Sequence, residues 1–217
     1  MEKINYQLKL DNILSEHIKK GERPKLLLHC CCAPCSSYVL EYLSQYMDIT
    51  CYYYNPNISP EKEYLKRAEE LSSLIKKMPL YSITEAIIAP YDPESFDAIS
   101  KGKEELEEGG ARCFECYRLR LQKSAEYAAK NGFDYFTTTL SISPHKNAAK
   151  LCEIGSSLSE QYGVKYLYSD FKKKGGYLRS CKLSVEYGLY RQDYCGCKFS
   201  KKAAEQRMAS NNKPISK

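Results

Sequence analysis

The stretch PKLLLHCCCAPCSS, residues 24–37, changes character halfway along its length. Its first half is a short apolar run, which is typical of a strand buried inside a sheet. Its second half places four of the chain's eleven cysteines in six positions, at Cys30, Cys31, Cys32 and Cys35. Helical periodicity follows over residues 36–46. The stretch therefore predicts a buried first strand that ends in a thiol-rich turn and leads into a helix.

The alternation of strand and helix continues along the chain. Apolar, β-branched and aromatic runs predict four more strands, at residues 48–56, 81–91, 134–140 and 164–171. Amphipathic stretches predict helices between them, at residues 59–78, 92–102, 113–132 and 143–163, the first with Ser59 as its N-cap. Strands that alternate with helices favour a parallel sheet covered on both sides. We therefore predict an α/β fold with a five-stranded parallel sheet and helices on both faces.

The length of 217 residues suits one domain with a substantial core. We expect a single domain over residues 1–217, in which a helical segment at 1–23 precedes an α/β core at 24–171. A basic, helical extension follows at residues 172–208 and carries a C-x-C motif. Residues 209–217 read as a tail.

Polar and reactive residues follow the predicted strands at one common edge. The cysteine turn follows the first strand, Asn55 the second, Tyr91 and Asp92 the third, and Asp170 the fifth. Ligands of open parallel sheets bind beyond the carboxyl ends of the strands. The sequence thus predicts a functional site at this edge.

Composition restricts the kind of protein further. Hydrophobic residues make up 43% of the chain and charged residues 28%, and no stretch approaches the roughly 18 apolar residues of a membrane helix. The first twenty residues are charged throughout, unlike a secretory signal, so we expect a cytoplasmic protein that does not enter a membrane. In a reducing compartment, clustered cysteines favour metal or redox chemistry over structural disulfides. The net charge of +6 permits binding to a polyanion but does not demonstrate it.

Two further cysteine motifs complement the first turn. Cys113 and Cys116 form a C-x-x-C motif at a predicted helix start, where the helix dipole favours thiolates. Together with Cys30 and Cys31 they offer four thiolates, which suits either a [4Fe–4S] cluster or structural zinc.

The C-x-C motif near the end of the chain leaves two interpretations open. Cys195 and Cys197 can close a small redox disulfide around Gly196, or ligate a second metal together with Cys32 or Cys35. The three isolated cysteines, Cys51, Cys152 and Cys181, read as small buried hydrophobes.

Four segments together resemble one known family. HCCCAPCSS (29–37), RCFECYRLRL (112–121), TTTLSISPHKN (137–147) and residues 170–197 are similar, in order and spacing, to the motifs of the QueH-type epoxyqueuosine reductases. The resemblance implies a fold like the nucleotide α-hydrolase (HUP) domains. It also implies reductive deoxygenation of epoxyqueuosine to queuosine at the wobble position of tRNA, the last step of queuosine biosynthesis.

The resemblance further implies the cofactors and the residues that hold them. A [4Fe–4S] cluster is expected on Cys30, Cys31, Cys113 and Cys116, with Cys195 and Cys197 as the redox pair. An adjacent iron is the alternative to the pair, and its candidate ligands are Cys32, Cys35, Cys197 and Asp170. An electron donor is also required, which the sequence does not identify. Tyr117, Tyr177, His29 and His145 are the candidate proton donors.

Basic residues near these motifs predict the contacts to tRNA. A lysine run lies beside Arg179, and two arginines follow the C-x-x-C motif, so we expect phosphate contacts from Lys172, Lys173, Lys174, Arg179, Arg118 and Arg120.

Three other functions remain compatible with the motifs. The first is a zinc-stabilised nucleic-acid-binding module without catalysis, and the second is a thiol–disulfide oxidoreductase that uses no metal. The third is a tRNA sulfur-transfer enzyme. Such enzymes need a glycine-rich loop for ATP after the first strand, and here that position holds the cysteine turn instead.

Overall fold

A computed structural model describes residues 4–81 and 86–211 of the chain. Its strands are β1 Lys25–His29, β2 Asp48–Tyr53, β3 Ala86–Ile88, β4 Tyr135–Thr138 and β5 Lys165–Tyr166. Its α-helices are α1 Tyr6–Lys20, α2 Ala33–Leu43, α3 Glu61–Lys77, α4 Pro93–Ser100, α5 Ala111–Lys130, α6 Ala148–Tyr162, α7 Gly176–Glu186 and α8 Lys198–Asn211. A short 3₁₀ helix, Thr139–Ile142, follows β4.

The five strands form one parallel sheet in the order β3-β2-β1-β4-β5. This confirms the predicted five-stranded parallel sheet. The chain moves outward in one direction from β1 to β3, then returns to pair β4 with the free side of β1. The loops after β1 and β4 consequently leave the sheet on opposite sides, which opens a crevice between them.

Two apolar layers cover the sheet, as predicted for helices on both faces. Leu26 and Leu28 of β1 are fully buried against α1, α2 and α3. Leu27, between them, points to the opposite face and packs with α5 and α6. Alternate residues of a strand face opposite sides, so the apolar run of β1 supplies both layers at once. Each fully buried leucine contributes roughly 1.5–3 kcal/mol to stability.

The structure shortens several predicted elements at their ends. The predicted strand at 134–140 ends at Thr138, whose hydroxyl accepts a hydrogen bond from Leu140 N at 3.1 Å and starts the 3₁₀ turn. The predicted helix at 143–163 begins only at Ala148, because the Asn147 side chain caps its first turn. β5 is likewise reduced to two residues, Lys165–Tyr166.

One predicted cap is wrong. The backbone cap of α3 is Pro60, without a side-chain hydrogen bond, and not Ser59. The Ser59 N–H instead donates to Gly196 O at 3.0 Å. Residues 82–85 of the predicted third strand and residues 212–217 of the predicted tail lie outside the described residues.

The C-terminal helices return to the core of the molecule. α7 packs on α2 at Gly176, where a Cβ atom would lie 2.5 Å from the Tyr38 ring and 2.0 Å from Phe171 O. Only glycine permits this approach. Among residues 4–81 and 86–211, the helices all lack the length or the hydrophobicity that crossing a membrane requires.

Gly155 of α6 provides a test of the packing between α6 and β5. A Cβ atom there would lie 2.5 Å from the Tyr166 ring, which is itself buried. We expect Gly155→Ala to lower the free energy of unfolding by about 1–3 kcal/mol, measured by urea titration, because the ring has no free space to move into. Ser157→Ala, an exposed position on the same helix, is the control and should leave the urea midpoint nearly unchanged. An unaltered midpoint in Gly155→Ala would contradict the packing.

Candidate metal and redox centre

The cysteine turn after β1 brings three sulfur atoms together. Cys32 is extended (φ −170°, ψ 165°) and directly precedes α2, which starts with Ala33 and Pro34. A proline in the first turn favours a helix start at that point. The sulfur atoms of Cys31, Cys32 and Cys35 consequently all lie within 4.8 Å of one another, with 3.8 Å between Cys31 and Cys32.

Cys30 does not join this group. Its N–H continues the ladder of β1 by donating to Tyr52 O at 2.9 Å, so its side chain points to the same face as Leu28. The thiol is fully buried in the apolar layer and donates to Leu28 O at 3.4 Å. The structure therefore places Cys32 beside Cys31 and Cys30 in the core, and the predicted use of Cys30 and Cys31 as neighbouring ligands stays a prediction.

A second group of thiols lines a small space that we call the inner cavity. Its thiols are Cys113 and Cys116, from the first turns of α5, and Cys195 and Cys197. The predicted C-x-x-C and C-x-C motifs thus meet, although Cys116 and Cys195 are 79 positions apart in the sequence.

The loop that carries Cys195 and Cys197 is fixed by α3. Arg67 of α3 is almost fully buried, and its Nη1 donates to Cys195 O at 3.3 Å. Gly196 has a φ of 113°, in the left-handed region, and a Cβ atom there would lie 3.0 Å from Arg67 Nη1. The motif therefore needs glycine between its cysteines. The sequence does not indicate that Arg67 belongs to the site, because a single arginine on an amphipathic helix is ordinarily solvent-exposed.

Cys197 starts α8. Its carbonyl accepts the first helical bond from Lys201 N at 3.0 Å, and its sulfur accepts from Ser200 N at 3.3 Å. The positive end of the helix dipole thus faces this sulfur, an arrangement that stabilises negative charge. Burial acts in the opposite direction and is the larger effect, so the pKa of Cys197 is raised overall.

A larger space, the outer cavity, adjoins the inner one and measures about 590 Å³. Cys31, Cys32 and Cys35 line it from the first turn, and Cys195 lines it together with Arg120 and Lys146. These last three residues line the inner cavity as well. The two thiol groups therefore adjoin through shared residues.

Arg120 is the buried cation between the two groups. Its guanidinium donates to Asn55 Oδ1 and contacts His29 Nε2 at 3.3 Å, and Asn55 in turn donates to Cys30 O at 2.9 Å. Burial alone would lower the pKa of Arg120, but the negative potential of Cys116, Cys31 and Cys195 raises it. The expected contact between Arg120 and tRNA phosphate does not fit this position, because only 2% of the residue is exposed.

The thiols of the first turn differ in their acidity. Hydrogen bonds from the Cys32 and Cys35 thiols, supported by the charge of Arg120 and the hydroxyl of Thr139, hold the pKa of Cys31 well below its usual range despite burial. The pKa values of Cys32 and Cys35 are raised, in both cases mainly by the Cys31 sulfur. Burial raises the pKa of Cys116 to about 12. The chain therefore places one thiolate, on Cys31, within hydrogen-bonding reach of two further thiols.

Lys146 is a second buried cation at the site. Its Nζ lies 3.2 Å from Glu108 Oε1 and 3.4 Å from Cys195 Sγ. Burial lowers its pKa, but the potentials of Cys195, Tyr117 and Glu108 raise it overall, so the side chain stays charged. The sequence reading did not single out Lys146, although the motif after the fourth strand contains it.

The candidate proton donors have different surroundings. The ring nitrogens of His29 lie 2.8 Å from Thr138 Oγ1 and 3.1 Å from Tyr54 O, and burial lowers its pKa to about 3. The Tyr117 hydroxyl is buried at the inner cavity and has no hydrogen-bond partner among the described residues. Tyr177 and His145 line the outer cavity.

Most of the other predicted site residues form ion pairs. Asp170 pairs with Lys172 at 2.7 Å and lines neither cavity, so the structure does not bring this carboxylate to the thiols. Lys174 pairs with Asp11 at 2.6 Å, and Arg179 pairs with Glu41 and Glu186. Lys173 and Arg118 are exposed.

The thiols suit a metal or a cluster by their chemistry. Thiolate sulfur is the preferred ligand of zinc and of iron–sulfur clusters. Buried thiolates require compensating positive charge, which Arg120 and Lys146 supply at this site, whereas the charge of Arg67 is paired with Glu63 at 2.7 Å. The donor set therefore fits such a group.

Comparison with known proteins adds an independent finding. The family model described as epoxyqueuosine reductase QueH matches residues 26–203 of the chain. A curated epoxyqueuosine reductase QueH from Staphylococcus epidermidis is 45% identical over 203 residues, which cover 92% of this chain and 85% of that protein. The protein of the same name from Thermotoga maritima is 37% identical and covers 81% of this chain and 89% of its own. A solved structure of NMN synthetase from Francisella tularensis aligns with a TM-score of 0.37 at 12% identity, covering 98% of this chain and 97% of that one.

The position of Arg120 predicts how Cys31 titrates. Because the guanidinium stabilises the thiolate, Arg120→Gln should raise the pKa of Cys31, so that alkylation of Cys31 in metal-free protein begins at a higher pH. Mass spectrometry of iodoacetamide-treated protein across a pH series measures this. Arg118→Gln, an exposed change two residues away, is the control and should leave the profile unaltered. Identical profiles for Arg120→Gln and wild type would contradict the electrostatic role of Arg120.

Proposed function

This chain belongs to the QueH family of epoxyqueuosine reductases, and on that premise we propose that it removes the epoxide oxygen of epoxyqueuosine at the wobble position of tRNA. The observation that carries this proposal is the convergence of thiols from three distant segments on two adjoining cavities. All three segments lie within the residues that the family model matches.

We assign the [4Fe–4S] cluster to Cys31, Cys32, Cys113 and Cys116. Cys32 replaces Cys30 in this assignment, because the sulfur of Cys30 is buried in the core, whereas that of Cys32 lies 3.8 Å from Cys31 Sγ. When bound, such a cluster supplies electrons one at a time. Arg120 and Lys146 would balance the negative charge that four thiolates bring to the site.

The reaction needs two electrons and two protons. Loss of the epoxide oxygen as water leaves an alkene, and oxidation of a dithiol to a disulfide releases two electrons and two protons, so the two half-reactions balance. Cys195 and Cys197 are the proposed dithiol, since Gly196 gives their loop a tight turn. An external electron donor must then reduce the disulfide again. A second iron held by Cys35 and the C-x-C cysteines is the alternative to the disulfide.

Tyr117 is the proposed hydrogen-bond donor to the departing oxygen. A buried hydroxyl without a partner costs about 1–3 kcal/mol, so its retention at the inner cavity is consistent with a partner that arrives with the substrate. His29 is a poor proton donor, because burial lowers its pKa to about 3 and its imidazole is therefore neutral at physiological pH.

The cluster assignment predicts opposite results for two neighbouring cysteines. Cys32→Ala should lose most of its iron and its brown colour after anaerobic purification, since it removes a proposed ligand. Cys30→Ala should keep both, with at most a moderate loss of stability from the buried position. Iron content and absorption near ~400 nm measure this for both variants. Full iron in Cys32→Ala would contradict the assignment, and a colourless wild type with one zinc would favour the zinc-binding module.

The proposed dithiol makes a separate prediction. Cys197→Ala should keep the iron content and colour of the wild type but lose turnover, because one thiol cannot form the disulfide. Reduction of epoxyqueuosine in a tRNA transcript, followed by mass spectrometry of the nucleosides, measures the activity. Cys113→Ala, which removes a proposed cluster ligand, should lose iron and activity together. If Cys197→Ala loses iron as well, the C-x-C motif holds a metal instead.

A further inference from the structure

The outer cavity and its rim suggest where the RNA binds, an inference that rests on the proposed function. The lysine run and Arg179, which the sequence favours as phosphate ligands, are largely neutralised by Asp170, Asp11, Glu41 and Glu186. A paired cation attracts phosphate weakly, because its partner cancels most of its field. The RNA-binding charges should therefore be cations that lack an acidic partner and lie at the cavity.

Two arginines at the rim of the outer cavity have these properties. Arg191 and Arg207 line the cavity and are exposed. Arg191 donates to the hydroxyl of Ser184 at 3.1 Å and lies 6.0 Å from the centre of the Tyr177 ring, and both of these partners are neutral. In the part of the chain that the structure describes, neither arginine forms an ion pair.

The charge balance of the cavity also favours a phosphate backbone. Five basic side chains line it, against the two carboxylates Glu108 and Asp193, and one of the five, Arg67, is paired with Glu63 behind the cavity wall. Glu108 is already paired with Lys146, so Asp193 is the remaining acid near the rim. Two further lysines, Lys201 and Lys202, are exposed in the first turns of α8, the helix that also carries Arg207.

The size of the cavity limits what can enter it. A volume of about 590 Å³ lies within the range of pockets for small molecules and suits one modified nucleoside, but not a folded anticodon loop. The thiols that line this space are not on the open surface, since Cys32 is only 4% exposed and Cys31, Cys35 and Cys195 are partly buried. A base inside the anticodon stack would not reach them, so the nucleotide has to leave the stack, as it does in other enzymes that modify bases.

We propose that the wobble nucleotide is extruded into the outer cavity while Arg191 and Arg207 bind the phosphates that flank it. Arg191 and Arg207 would act as binding residues at the rim. Lys173 and Arg118, although exposed, do not line the cavity and would contribute little.

Binding of a fluorescent anticodon stem-loop that carries epoxyqueuosine tests the phosphate contacts. Arg191→Gln combined with Arg207→Gln should weaken binding at least about tenfold and reduce the slope of log K against log salt by about 1.4, since each single-strand phosphate contact accounts for about 0.7. Lys20→Gln combined with Lys130→Gln is the control. It removes the same charge from exposed positions at the opposite edge of the sheet and should keep the affinity and slope.

A substitution of the lysine run provides the opposing result. If Lys172→Gln, Lys173→Gln and Lys174→Gln together abolish binding while the double arginine variant binds like the wild type, the proposal is overturned.

Extrusion is tested with 2-aminopurine placed 3′ to the modified nucleotide. Its fluorescence should rise on saturation with wild-type protein because stacking is lost, and constant fluorescence would disprove extrusion.

The turnover of the same stem-loop separates this inference from the proposed function. Failure of the wild-type protein to reduce the epoxide under anaerobic conditions would refute the function, whereas the binding data decide the role of the rim. Normal reduction by wild type, with normal affinity in the double arginine variant, would refute only the inference.

Discussion

Compensation between buried thiols and buried cations is the interaction on which the site depends. Arg120 lies between the two thiol groups, Arg67 holds the C-x-C loop, and Lys146 contacts Cys195. A buried cation without a partner costs several kcal/mol, and the same is true of a buried thiolate. Arg120 and the Cys31 thiolate therefore stabilise each other, while Glu63 and Glu108 pair with Arg67 and Lys146 and so allow these two cations to be buried beside the thiols. A metal or cluster at the site would join an electrostatic arrangement that the protein side chains already provide.

Much of the fold could be predicted from local sequence patterns. The apolar run of β1 and the alternation of strands and helices define the sheet, because these patterns reflect burial on two faces. The ends of strands and helices are harder to predict. Single side-chain hydrogen bonds determine them, at Thr138 for the end of β4 and at Asn147 for the start of α6. The separation of the Cys30 sulfur from the other cysteines of the turn has a simple cause. Strand geometry continues through Cys30, and the face that each cysteine points to depends on where that geometry ends.

The cations of the site could not be predicted in the same way. From sequence alone, Arg67 and Arg120 are polar positions on amphipathic helices, and lysines such as Lys146 are rarely buried. Their burial follows from contacts between segments that are far apart in the chain, such as the contact between Arg67 and Cys195, which are 128 positions apart. The lysine run shows the converse. It is the densest positive segment of the sequence, yet Lys172 pairs with Asp170 and folding brings Asp11 of α1 next to Lys174.

The cysteine turn occupies the position at which other parallel α/β folds carry a glycine-rich phosphate-binding loop. In parallel α/β folds, the helix after the first strand presents its N–H groups and its positive dipole end at the crevice, and a glycine-rich loop lets phosphate reach them. Here α2 starts directly at Ala33 and Pro34, and the proline removes one N–H. The Cys31, Cys32 and Cys35 sulfurs fill the space before the helix, and their side chains exclude the close approach that glycine would allow. The position that accommodates a phosphate group in those folds here holds the Cys31 thiolate, which the Cys32 and Cys35 thiols and the charge of Arg120 stabilise.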